Sequence, residues 1–144
     1  MNRRELVKSE EGLRLSPYHC TEGYPTVGYG KKIGPKWSSL SNYQFRITEE
    51  IADIWLDEEL AKIENALITN NTYNKLNQAR KDILVSMAYQ MGLTGVYKFR
   101  KMWAALKDED WQEAAKQALD SRWAHQTPAR AYRHANVLER GSFN

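Results

Sequence analysis

Glu11, Cys20 and Thr26 are the residues of this chain whose types and spacing could do chemistry: a carboxyl, a thiol and a hydroxyl, nine and then six positions apart. Hydrolysis of a glycosidic bond needs a protonated acid on one side of the bond. On the other side it needs a group that handles water or a covalent intermediate. Glu11 suits the first role. The glycine directly after it is placed to end a helix in the left-handed conformation, so Glu11 falls in the last turn and faces the negative end of the macrodipole, which disfavours its charge. Thr26 can hold a water through its hydroxyl. Cys20 stands where the second carboxylate of the usual pair is expected. Taken alone, a glutamate beside a glycine is more often an ordinary surface residue, because ion-pair networks also perturb acids.

The surrounding elements must bring these groups together. Leu6 and Val7 give a short first helix, ending at Gly12, one apolar edge. Residues 14–34 are rich in Tyr, Val, Thr and Gly, with turn signals at Thr21-Glu22-Gly23 and Gly34-Pro35, which predicts a small antiparallel sheet. Residues 35–46 lack a period and read as loop. Thr48 is the expected N-cap of a connecting helix running to about residue 68. Its apolar side is Ile51, Ile54, Trp55, Leu60, Ile63 and Leu67, and its acidic side (Asp53, Asp57, Glu58, Glu64) reads as a solvated face. Everything beyond reads helical. Ile83, Leu84, Met87, Ala88 and Met91 mark a central buried helix, and shorter helices are expected at 99–107, 109–119 and 121–125, with Asp108 capping the second. A last helix opens at Thr127-Pro128 and stops at Gly141. The fold class is therefore α+β: a small lobe over about 13–47, a connecting helix over about 48–68, and a helical lobe over about 69–144 that also receives residues 1–12. Such an architecture has a cleft where its lobes meet, a usual place for a binding site.

The 144 residues suit one domain with a real core. The net charge of +3 is unevenly spread, with 9 Lys and Arg against 11 Asp and Glu in residues 1–72, and 12 against 7 in residues 73–144. A basic second half favours a polyanionic partner such as nucleic acid, anionic lipid or bacterial cell wall. One cysteine excludes an internal disulfide. The first residues are basic without an apolar run behind them, so neither a secretory signal nor a membrane span is expected. His19, His125 and His134 lack metal-ligand spacing, and no metal or other cofactor is expected.

Beyond these properties, the chain resembles the T-even phage lysozymes, the glycoside hydrolase family 24 endolysins. Their catalytic pattern is Glu, eight residues, Asp or Cys, five residues, Thr, met here by Glu11, Cys20 and Thr26. The likeness continues in G-Y-P-T-V-G-Y-G (23–30), I-T-E-E-I-A (47–52), A-Y-Q-M-G-L-T-G-V (88–96) and S-R-W-A-H-Q-T-P-A-R-A-Y-R (121–133), in the same order along nearly the whole chain. It is weakest over 31–46, which is short for the family's small lobe.

The resemblance implies a lysozyme-like fold and a muramidase acting on the bond between N-acetylmuramic acid and N-acetylglucosamine. Glu11 would be the general acid, Cys20 would take the place of the catalytic Asp, and Thr26 would position the water. Tyr89 would line the substrate cleft, with Gln90 beside it. Lys32, Met102 and Gln117 fall at sugar-contacting positions with residue types that depart from the family's. Arg130 would face Glu11, and Arg122 would pair with Glu22; structural ion pairs are the plain alternative for both arginines. The implied partners are the peptidoglycan substrate and a separately encoded membrane pore, or holin. The implied setting is a monomer held in the host cytoplasm until lysis, then acting on the wall from the periplasmic side. Two other classes stay in view. One is a non-catalytic wall-binding phage component with the same fold. The other is a nucleic-acid binder, which the core-like spacing of the aromatics disfavours.

Overall fold

The computed structural model describes residues 1–144. It separates into two compact units: Arg4–Ala61, and Met1–Arg3 together with Lys62–Asn144. The boundary falls inside one long helix.

In the first unit, α1 (Arg3–Glu11) leads into a three-stranded antiparallel sheet of β1 (Arg14–His19), β2 (Pro25–Gly28) and β3 (Lys31–Lys32), in that spatial order. A short 3-10 turn at Leu40–Asn42 interrupts the loop that follows, and α2 (Glu49–Leu67) begins after it. Thr48 caps α2 as expected, its hydroxyl accepting from the Ile51 amide at 3.2 Å. Helix α1 stops as its sequence dictates: Gly12 has a φ of 71° and donates its amide to the Lys8 carbonyl at 3.1 Å.

Two expectations about α2 are corrected. Its buried stripe is Ala52, Leu56, Leu60, Ile63 and Leu67, whereas Ile51 and Ile54 are exposed. Its acidic side is not simply solvated. Asp57 pairs with Arg4, and Asp53 and Glu49 pair with Lys8 at 3.1 and 3.6 Å. These bonds explain why α1 from Arg4 onward groups with the sheet, whereas the sequence attaches that helix to the helical lobe. Only Arg3 belongs to the second unit, where it reaches Asp82 and Glu64 at 2.9 Å each and the Tyr73 hydroxyl at 3.3 Å.

The second unit contains α3 (Asn71–Lys75), α4 (Gln78–Tyr97), α5 (Arg100–Lys107), α6 (Trp111–Leu119), α7 (Arg122–Gln126) and α8 (Pro128–Arg140). Helix α4 is the central one: Ile83, Leu84, Val85, Ser86 and Met87 are fully buried, so it is enclosed on every side at its middle. It kinks at Gly92 (φ 83°, ψ 160°), a conformation open to glycine. Helix α8 packs against α4, α6 and α7, and α6 packs against α5. The cap of α6 is Asp110, whose carboxylate accepts from the Glu113 amide at 3.2 Å, and not Asp108, which closes α5. Thr127 stands at the N-cap of α8 without capping it through its side chain. Its hydroxyl donates instead to the Trp123 carbonyl at 3.1 Å.

The far end of α8 is held by Arg80. This guanidinium donates to the Leu138 and Glu139 carbonyls at 2.7 and 2.9 Å and stacks 3.6 Å from the Trp111 ring centre. Orphaned C-terminal carbonyls of the helix are thereby satisfied by a buried cation. No helix of the structure is long and apolar enough to cross a membrane.

Candidate active site

Sheet register decides which side chains share a face. Tyr18 pairs with Thr26, His19 with Pro25, and Thr26 with Lys32. The pairing runs on past β1, the Cys20 amide donating to the Tyr24 carbonyl at 3.0 Å. Side chains alternate along a strand and cross-strand partners lie on the same side. Tyr18, Cys20, Tyr24, Thr26 and Lys32 therefore occupy one face, with His19, Pro25 and Val27 on the other. The turn between the strands closes through the Gly23 amide, which donates to the Cys20 carbonyl at 2.8 Å.

On that face, Cys20 is half-buried. Burial pushes its thiol up, but the backbone amides of Tyr24 and Glu22 and the Lys32 ammonium outweigh burial and hold it below its ordinary value. Thr26 is buried, its hydroxyl within hydrogen-bonding reach of the Cys20 sulfur. Its single proton is donated to the Tyr24 carbonyl at 2.7 Å. What Thr26 has left to offer a thiol or a water is its lone pairs. The Lys32 ammonium lies 4.2 Å from the Tyr24 ring centre and 3.6 Å from Glu22.

The Glu11 carboxylate lies against Gly30. A Cβ added to Gly30 would stand 3.0 Å from Glu11 Oε2, and the residue has a φ of 76°. Any side chain there would push the carboxylate by a few tenths of an ångström and strain a backbone that glycine accepts. Tyr18, on the same face as Cys20, feels the charges of that thiol and of Glu11. Burial raises its phenol, the Arg14 guanidinium 4.2 Å from its ring centre lowers it, and the charges of Cys20 and Glu11 raise it. Tyr18 is absent from the residues expected at the site, although its position two residues before Cys20 on a strand is a signal of a shared face.

The second unit carries the other residues singled out from sequence. Tyr89 and Gln90 are half-buried on α4, and Gln90 accepts from the Trp123 indole N–H at 2.8 Å. Met102 is fully buried and, with Gln117, lines a cavity of about 390 Å³ beside Lys98, Arg100 and Asp120. Gln117 donates to Glu113 at 2.7 Å. Arg122 is exposed at the start of α7.

Arg130 is buried, and its Nη2 donates to the Ser86 hydroxyl oxygen at 3.2 Å and to the Ser86 carbonyl at 3.4 Å. That hydroxyl lies 2.8 Å from Nε2 of His134, a fully buried imidazole packed edge-on to Trp123. Burial drives His134 down to about 3, reinforced by the charges of Arg130 and Arg133. The imidazole is therefore neutral, and the Ser86 hydroxyl donates a hydrogen bond to Nε2 while its oxygen accepts one from Arg130. No sequence signal joined Ser86, Arg130 and His134, which only tertiary packing brings together.

The sequence pattern of the family described as phage lysozyme matches residues 8–137. The chain belongs to the phage lysozyme family. It is thus a lysozyme, a hydrolase, built from eight helices and a three-stranded antiparallel sheet. Among curated relatives, this phage lysozyme is 30% identical to "Probable T4-type lysozyme 1" of Dictyostelium discoideum, over 98% of this chain and 95% of that protein. It is 31% identical to "Pre-baseplate central spike protein Gp5" of Enterobacteria phage T4, over 99% of this chain but 28% of that longer protein. It is 34% identical to the "Endolysin" of Acyrthosiphon pisum secondary endosymbiont phage 1, over 62% of this chain and 56% of the relative.

Proposed function

We propose that this lysozyme is an endolysin that cleaves the β-1,4 bond between N-acetylmuramic acid and N-acetylglucosamine in peptidoglycan. Glu11 gives its proton to the glycosidic oxygen as the bond to the anomeric carbon breaks. A water held by Thr26 and by Cys20 as its thiolate attacks that carbon from the opposite face and gives its proton to the thiolate, so the product is inverted. Thr26 serves through its lone pairs, because its own proton is taken by Tyr24. Tyr89, Lys32 and Gln117 contact the sugars, with the fully buried Met102 packed behind the cavity that Gln117 lines, while Arg130, Gln90, Glu22 and Arg122 support the charged groups. What carries this reading is the local gathering of chemistry in Arg4–Ala61: a carboxylate seated on Gly30, and a thiol of lowered pKa beside a hydroxyl on one sheet face.

Purified sacculi digested by the protein and then reduced with borohydride test the bond assignment. N-acetylmuramitol ends are expected, and N-acetylglucosaminitol ends would overturn it. A glycosyl-cysteine species in quenched turnover, with retained anomeric configuration, would replace the water-holding role of Cys20 by nucleophilic attack. The same proposal has the enzyme acting as a monomer, kept in the host cytoplasm and reaching the wall through a separately encoded membrane pore.

One observation favours a second reading. The similarity to the T4 spike protein covers this whole chain, as it would for a structural phage component that binds wall without cutting it. Turbidity loss of permeabilised Gram-negative cells separates the two, since a binder alone leaves turbidity unchanged.

A further inference from the structure

Trp37 is held in a conformation that its own residue type resists. Its φ is 65°, one of two positive values outside glycine, in the left-handed region that a Cβ disfavours. Its side chain is nevertheless 68% exposed, so burial of the indole does not offset that strain.

The surrounding hydrogen bonds fix the backbone at Trp37, and contacts with His19 and Gly23 seat its ring. The Trp37 amide donates to the Gly23 carbonyl at 2.7 Å, and both the amide and the hydroxyl of Ser38 donate to the Pro35 carbonyl, at 3.1 and 2.7 Å. His19 Nε2 lies 2.7 Å from the Ser38 carbonyl, and its ring meets the indole edge-on at 6.0 Å. One side of the indole covers Gly23, where any Cβ would come within 2.5 Å of the ring. Gly23 is in turn bonded to the Cys20 carbonyl. The outcome of this bracket is a fixed, solvent-facing aromatic tied to the turn that carries Cys20. Beside it in sequence, the Lys36 ammonium lies 6.0 Å from the Tyr24 ring centre, and Tyr24 also carries Lys32.

We propose that Trp37 is a saccharide-stacking platform. It takes a sugar of the wall glycan outside the cleaved bond, and Lys36 supplies a cation for a carboxylate of the lactyl-peptide substituent on that glycan. The apolar face of a pyranose ring and an indole match in size and polarity, and a ring fixed in advance loses little entropy on binding. Charge fits the same occupant, since a glycan with acidic substituents meets Lys36 and Lys32. The proposal rests on wall glycan being the substrate, and it adds a binding site in residues 31–46.

The test uses the Glu11→Gln protein, so that glycan is not consumed, and a tetrasaccharide of alternating N-acetylglucosamine and N-acetylmuramic acid. The chain has five tryptophans, and a Trp37→Phe variant assigns the Trp37 indole N–H signal in the proton–nitrogen spectrum. The expected result is a saturable shift of that signal, with affinity about tenfold weaker in Trp37→Ala and largely kept in Trp37→Phe. A Trp37 signal unmoved at saturating tetrasaccharide, or equal affinities for the three proteins, would overturn the proposal. Loss of thermal stability in Trp37→Ala with unchanged affinity would equally overturn it, leaving Trp37 as a cover for the turn. Parallel digestion of sacculi by the wild-type enzyme keeps the two readings apart: hydrolysis with a silent Trp37 sinks only the platform, whereas no hydrolysis at all sinks the muramidase.

Discussion

Acidification should withdraw stability from this protein through one buried side chain, His134. In the unfolded chain its imidazole takes a proton near the ordinary value of about 6.5. In the folded protein it is fully buried beside Ser86 and pushed down to about 3. Above pH 6.5 both states are neutral at this site and its contribution is whole. Below that, the unfolded chain binds a proton that the folded one refuses, so stability falls by about 1.4 kcal/mol for each pH unit until the folded pKa is reached. At pH 4.5 the loss from this group alone is about 2–3 kcal/mol, a large part of the roughly 5–15 kcal/mol that holds a domain folded. His134→Gln keeps a hydrogen-bonding partner for the Ser86 hydroxyl but cannot titrate. Urea unfolding of both proteins at pH 7.5 and pH 4.5 should show the wild type losing about 2–3 kcal/mol more than the variant over that interval. Equal losses would refute the reasoning, because they would mean that His134 is protonated in the folded protein too.

Other consequences can be checked alongside. Gly30→Ala adds a Cβ 3.0 Å from the Glu11 carboxylate and should lower wall clearing on the order of 100-fold, as a misplaced catalytic group does. Gly12→Ala, with nothing within 4 Å of its Cβ, should show the backbone strain without that crowding, and turbidity assays compare the two. Alkylation of Cys20 by iodoacetamide should abolish clearing. Its rate should rise at a lower pH than for a free thiol, moving back upward in Lys32→Gln, because Lys32 is among the groups that hold this thiol down. Arg80→Met strips two carbonyls at the end of α8 of their donor and should cost about 2–4 kcal/mol in thermal unfolding, with activity per folded molecule kept.

Local rules made much of this molecule legible before any coordinates. Glu11 before Gly12, Thr48 before two acids, and Gly141 after Arg140 are end signals whose physics lies in adjacent residues, and each marks a helix end. Cys20 and Thr26 fell on a common face because a tight antiparallel hairpin leaves little freedom of register. What escaped the sequence depended on distant partners. The acids of α2 read as solvated until Arg4 and Lys8 came to meet them. Ile51 and Ile54 read as core, although the helix turns Ala52 and Leu56 inward. Asp108 and Asp110 carry the same capping chemistry two residues apart, and only backbone geometry chooses between them. Residues 35–46 gave no period because they form a loop, yet that loop presents the indole of Trp37.

The measurement that tests the central claim most directly is the rate at which Glu11→Gln and wild-type protein release new reducing ends from purified peptidoglycan, with folding of both verified by thermal unfolding. The substitution keeps the size and hydrogen bonding of the side chain and removes only the transferable proton. If Glu11 is the general acid, the variant stays folded and its rate falls by on the order of 100-fold or more. A folded variant that cuts at a near wild-type rate would contradict the assignment of this site.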